Sequence, residues 1–142
     1  MRYCTLAVLL ILTGRSQGAQ DAATAAQEAG EALRKKVDQA EVVAVGKVSG
    51  TIEVGAGSFY YVTIELTEAL KGPKEKKAVA IRVGSVPGRE PPAYTKKGTQ
   101  GIWLLGKAGN SVKDIETRAM LFYLPAEDLK AVREILGKKA EK

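Results

Sequence analysis

The chain has 142 residues, with 22 Lys and Arg against 16 Asp and Glu, no His and a single Cys, giving a net charge of +6. Chemistry that needs an imidazole is therefore excluded. Cys4 stands alone near the N-terminus, so a disulfide framework, a CxxC redox pair and a Cys-ligated zinc site are excluded too, and the composition implies no metal and no cofactor.

Residues 1–18 have the pattern of an export signal. Arg2 supplies a positive start, Leu6 to Leu12 form an unbroken apolar run, and Ser16-Gln17-Gly18 places small residues where a signal peptidase requires them. The run is shorter than the roughly 20 residues that span a bilayer. Cys4 precedes the run, which excludes the lipid-attached cysteine of a lipoprotein signal. The expectation is a soluble exported protein, periplasmic or extracellular, with no transmembrane segment after signal removal. Cleavage after Gly18 removes Arg2 and Arg15 and no acidic residue. What remains is one domain's length and cysteine-free, so its stability rests on core packing alone.

Residues 19–40 are rich in Ala, Gln and Glu and favour a helix, with Asp21 as a possible cap and Ala22, Ala25, Ala29, Leu33 and Val37 near one face. Alanines bury little and Gly30 weakens the middle, so this is a solvated lead-in helix whose last turns, Leu33 to Ala40, dock on the domain.

From residue 41 to the end the chain forms a single domain. Val42 to Val48 is a β-branched run, apolar on both faces, with Gly46 marking a bulge or bend. Phe59 to Leu66 alternates, placing Tyr60, Val62, Ile64 and Leu66 on one face and Phe59, Tyr61, Thr63 and Glu65 on the other. Residues 71–77 form a charged turn broken by Gly72-Pro73, after which Val79, Ile81 and Val83 share a strand face. Ile102 to Leu105 is a short strand, Lys107 to Asn110 has the residues of a hairpin turn leading into Val112 to Glu116, and Ala119 to Tyr123 is a last strand. A closing helix spans about 125–137. Pro125 suits its first position, Glu127 and Asp128 its first turn and Gly137 its C-terminus, with Leu129, Val132, Ile135 and Leu136 as its apolar stripe.

No helix of ten residues or more separates the strands, which excludes parallel βαβ units. The expected fold is mainly β: a small five- to six-stranded OB-like antiparallel barrel with a lead-in helix and a C-terminal helix. A β-sandwich is the alternative.

The succession EVVAVGKVSG, YYVTIELTEALKGP, AVAIRV and GIWLLGK, about residues 41–107, resembles exported bacterial domains related to the netrin module and to tissue inhibitors of metalloproteinases. That resemblance implies an OB-like barrel packed with helices and a role in binding other proteins. Inhibitors of this family chelate the protease zinc through an N-terminal cysteine and carry disulfides. A mature chain without cysteine cannot use that mechanism, and no inhibitory residue is carried over.

Three classes of function follow. The first is an exported, non-enzymatic protein-binding or structural module, whose partner is another envelope or extracellular protein. The second is a polyanion-binding domain for glycan or single-stranded nucleic acid, with Phe59 and Tyr61 as an aromatic platform. Export takes most nucleic acid out of reach, and the same two aromatics are expected rather to pack beneath a terminal helix. The third is a small hydrolase using a carboxylate pair, either Asp114 with Glu116 or Glu53 with Glu65, for which the competing expectation is a solvated sheet face. No catalytic residue is assigned.

Recognition is expected in residues 84–100, a Pro- and Gly-rich connection longer than compact domains usually carry. Arg89, Tyr94, Lys96 and Lys97 are its candidate binding residues, and the Phe59 and Tyr61 face is the alternative. The segment itself is expected to supply no core residue. The signal pattern predicts that intact-mass measurement of the exported chain will place its N-terminus at Ala19 or within a few residues of it; a chain retaining Met1 would contradict this.

Overall fold

The computed structural model describes residues 17–54 and 58–140. Cys4 and the expected export signal through Ser16 lie outside the described residues. The chain divides into two compact units, the first ending at Ala32 and the second running from Leu33. Helix α1 (Gln17–Gln39) supplies the described part of the first unit, and there its residues from Gly18 to Ala32 are solvent-exposed. Within the second unit the final turns of α1 bury Val37 and, just beyond the helix, Ala40. Leu33, Val37 and Ala40 supply the apolar surface that packs there.

Five strands follow: β1 (Val42–Glu53), β2 (Phe59–Lys71), β3 (Ala78–Gly84), β4 (Gln100–Val112) and β5 (Ile115–Pro125). They close into a ring in the order β1-β2-β3-β5-β4. Closure by the β1–β4 pairing sets aside the sandwich alternative. One part of the expected barrel is corrected: β3 and β5 pair parallel, through Ala80 with Thr117 and Ile81 with Arg118, so the sheet is mixed.

The strand count is five, within the five to six expected, but one turn lies elsewhere. Lys107 to Asn110 does not turn. It lies inside β4, and the chain reverses at Lys113 and Asp114, both at positive φ, 49° and 66°. That pair has the left-handed geometry of a type I′ hairpin, which sequences usually mark with Asn-Gly or Asp-Gly. Gly109 serves a different end, since a Cβ there would lie 2.8 Å from Thr117 Oγ1. Of the two segments that read as separate strands, β5 takes only Ile115 and Glu116 from the first and all of the second, Ala119 to Tyr123, without a break.

Two cores result from the alternation along the strands. Inside the ring, Val42, Ala44, Val48, Val62, Ile64, Val79, Ile81, Val83, Trp103 and Leu105 are buried together. Outside it, Val43, Ile102, Leu104 and Leu124 meet Val37, Ala40 and Val132. β1 and β4 are therefore covered on both faces, which is why their sequences are continuously apolar rather than alternating. Helix α2 (Leu129–Ala140) covers the outer core with the expected stripe of Leu129, Val132, Ile135 and Leu136. Its ends differ from expectation. Pro125 closes β5 and leads into a 3₁₀ turn, Ala126–Asp128, while Gly137 lies within a helix that runs on to Ala140.

Lys71 secures the end of α1. Its ammonium donates to the carbonyls of Val37 (3.1 Å) and Asp38 (3.4 Å) and closely to that of Ala40. A cation is favoured at that end of the helix dipole.

Gly46 sits where β1 shifts register against β2. A Cβ there would lie 2.7 Å from Ile64 Cγ2 and 2.8 Å from the Glu65 carbonyl oxygen, and the Gly46 carbonyl accepts the indole N–H of Trp103 at 3.2 Å. Gly46→Ala is accordingly expected to lower the unfolding free energy by about 1–3 kcal/mol in urea denaturation. Unchanged stability would show that the bulge yields freely.

Candidate binding cleft

Between β3 and β4 the chain follows a fixed course over one end of the ring. Arg89 N–H donates to the Val86 carbonyl (3.1 Å), and Gly88 at φ +76° permits that tight turn. The 3₁₀ turn Ala93–Thr95 is closed by two bonds to the Pro92 carbonyl, from Thr95 N–H (2.9 Å) and Thr95 Oγ1 (2.7 Å). Gly98 N–H then donates to the Val48 carbonyl (2.8 Å), and Val48 N–H donates to the Thr99 carbonyl (2.9 Å).

Here the expectation of a loop without core residues is overturned. Thr95 is buried, and the Tyr94 ring meets Trp103 edge-on at 6.2 Å and lies 5.8 Å from the Tyr123 ring. Burial, and then the neighbouring Tyr60, raises the Tyr94 phenol above its ordinary pKa. A seventeen-residue segment full of Pro and Gly gave no periodic pattern from which one inward aromatic could be singled out.

The anchored segment leaves a cleft of about 680 Å³ at the mouth of the ring, lined by Thr51, Glu53, Phe59, Tyr60, Ser85, Glu90, Pro91, Thr95 and Lys96. A smaller recess of about 190 Å³ adjoins it, sharing Tyr60, Ser85, Glu90 and Pro91 and adding Arg89. The hydroxyl of Tyr60 is buried and has no hydrogen-bond partner among the described residues. Such a group costs about 1–3 kcal/mol when left unpaired.

The two sets of residues singled out from the sequence converge on this end of the molecule. Lys96 and Phe59 line the cleft together, and Arg89 lines the recess. Tyr94 lies beneath as a support, whereas Lys97 and Tyr61 line neither space. Phe59 and Tyr61 touch edge to face at 5.8 Å, and the Arg82 guanidinium lies 3.9 Å from the Phe59 ring centre. Tyr60, Val62 and Ile64 fill the ring, so Phe59 and Tyr61 point outward; neither belongs to the core beneath the helices, contrary to the packing expected for them. Sequence reasoning missed Thr51, Tyr60, Ser85, Glu90 and Thr95, and singled out Glu53 only as half of a carboxylate pair. Alternation did place Tyr60 inward, but nothing in it indicated that the hydroxyl would lack a partner.

Neither carboxylate pair forms as imagined. Asp114 sits in the β4–β5 turn and not on a strand beside Glu116. Glu53 lies opposite Tyr60 on β2, and Glu65 is five residues further along that strand, about 17 Å away at 3.3–3.4 Å per residue. Glu116 is engaged elsewhere: Lys76 Nζ lies 2.6 Å from one oxygen and Arg118 Nε 2.6 Å from the other. Lys76 and then Arg118 hold its carboxyl below the usual range, against the opposing effect of desolvation. Among the described residues no group of three His, Cys, Asp or Glu is placed to hold a metal, and no helix is long and apolar enough to cross a membrane.

No protein-family model matches the chain, and a search of curated proteins returns no match.

Because its folded pKa is depressed, ionised Glu116 contributes stability above the pKa of the unfolded chain, about 4.3, and that contribution is lost as pH falls through the folded value. Acid unfolding of Glu116→Gln should therefore show a shallower loss of stability below pH 4.5 than the parent; parallel acid limbs would show that Lys76 and Arg118 contribute nothing through this carboxylate.

Proposed function

We propose that the protein is an exported, non-enzymatic binding module that recognises another envelope or extracellular protein through the mouth of its ring. The observation that carries this reading is the fixed course of residues 85–99. Tyr94 and Thr95 pin the segment to the core, and it holds a cleft open beside the exposed Lys96, Arg89 and Lys97. A connection of this length costs entropy to order, and the anchoring removes that cost before any partner arrives. Val86, 56% exposed, and Val54, 40% exposed, add apolar surface close in sequence to the lining residues.

The resemblance to netrin-related exported domains supports the same reading, since the four resembling strings coincide with β1, β2, β3 and the first part of β4. The hydrolase alternative loses support because the Glu53–Glu65 pair is too widely separated and Glu116 is bound by two cations. A second reading, polyanion binding, draws support from Arg82 over Phe59 beside Tyr61, an outward aromatic and basic surface suited to stacking. Within the cleft itself two carboxylates, Glu53 and Glu90, outnumber Lys96, which disfavours an anion there.

Replacing Arg89, Lys96 and Lys97 with Ser is expected to leave the melting temperature within a few degrees of the parent while weakening capture of purified envelope or extracellular partners, more at low salt than at high. Tyr61→Ala, on a side chain that lines neither space, should leave that capture intact. Loss of capture only in the aromatic variant would move recognition to the outer β2–β3 face.

A further inference from the structure

We infer that the cleft takes an extended peptide, which pairs as an added strand with the second edge of β1 between Gly50 and Glu53. This deepens the binding-module reading and rests on it.

The edge is visible in the pairing of β1. One side of the strand is paired with β2 as far as Glu53. On the other side β4 accompanies it only from Val42 to Lys47, and Gly98 and Thr99 extend that line by bonding to Val48. There the chain leaves β1 for the 3₁₀ turn at Ala93–Thr95. From Gly50 to Glu53 the second side has no backbone partner among the described residues. A strand edge of four residues presents its alternate N–H and C=O groups to whatever lies beside it.

What lies beside it is the cleft, since Thr51 and Glu53 form one wall and Pro91, Thr95 and Lys96 form another. An extended chain laid along β1 would lie between these two walls. The run Gly50-Thr51-Ile52-Glu53-Val54 also lacks the proline and lysine with which free edges are usually protected. Ligands that add a strand gain affinity from main-chain bonds and specificity from alternate side chains.

Alternate side chains of the added strand enter the cleft beside Tyr60, Glu53 and Glu90. Neither glutamate makes an ion pair among the described residues, and Lys96 is the one cation in the lining. The excess of carboxylate selects a peptide with a Lys or Arg at an inward position.

The test pans a library of random linear peptides against the intact chain and measures the affinity of recovered sequences by fluorescence anisotropy. Recovered peptides are expected to share a basic residue and lack proline at its neighbours. N-methylation at successive positions should weaken binding about tenfold at every second residue and leave the residues between nearly unchanged, because only alternate N–H groups face one edge. Glu53→Gln with Glu90→Gln should weaken the basic peptides by a similar factor without lowering the melting temperature. Peptides that bind without a period of two in the methylation series overturn strand addition while leaving the module a binder of peptides. A library that yields no binder, from a chain that still captures folded partners through Arg89, Lys96 and Lys97, overturns this inference alone; loss of both overturns the functional reading as well. Dimers that dissociate when peptide is added would make a second copy the native occupant and overturn the assignment to a partner's segment.

Discussion

The contact between Trp103 and Gly46 organises the ring. The indole is fully buried, its N–H reaches the Gly46 carbonyl at 3.2 Å, and its ring lies 4.8 Å from Tyr123 and 6.2 Å from Tyr94. Gly46 in turn lets β1 come close to Ile64 and the Glu65 backbone on β2. The Trp103 side chain thus joins β1 to β4, supports β5 through Tyr123, and gives the β3–β4 connection its foothold through Tyr94. The cleft at the mouth depends on that foothold, since the pinned segment forms one of its walls.

Much of this was legible in the residues. The inward face of β2 followed from strict alternation at Tyr60, Val62, Ile64 and Leu66, and the double burial of β1 followed from its unbroken β-branched run. The docking end of α1 followed from the change from alanine to Leu33 and Val37. These are all periodic signals, set by local geometry and by the burial of apolar surface. What failed was aperiodic or distant. The Lys113-Asp114 reversal uses two residues that adopt positive φ without being glycine, so the glycine at 109 attracted the turn assignment instead. The parallel β3–β5 contact joins segments about 37 residues apart and follows from ring closure, which no local string encodes.

The site shows the same division. Lys96, Arg89 and Phe59 were chosen for their residue types, and the fold brings Lys96 and Phe59 into one cleft. Tyr94 was chosen for the same reason and turned out to be a support, because an aromatic gains more from burial against Trp103 and Tyr123 than from exposure. Glu53 and Tyr60 became neighbours only through the β1–β2 register, which a bulge at Ser49 shifts by one residue. Without that extra residue every side chain beyond it on β1 would face the opposite side, and Glu53 would point away from the cleft.

The β3–β5 seam carries a further consequence. Only two residue pairs span it, compared with the long ladders of the other four junctions. Lys76, just ahead of β3, reaches Glu116 on β5, and the same carboxylate holds the buried Arg118, which also donates to the Gly106 carbonyl at 3.0 Å on β4. Charged side chains thereby fasten a junction that backbone pairing alone leaves thin. In folding, the hairpins β1–β2, β2–β3 and β4–β5 form between neighbours in sequence, so the entropy of long-range closure falls on β1–β4 and on this seam. The seam gains the fewest backbone pairs for that cost, so parting there would give up the least pairing, and the Lys76–Glu116 ion pair opposes it.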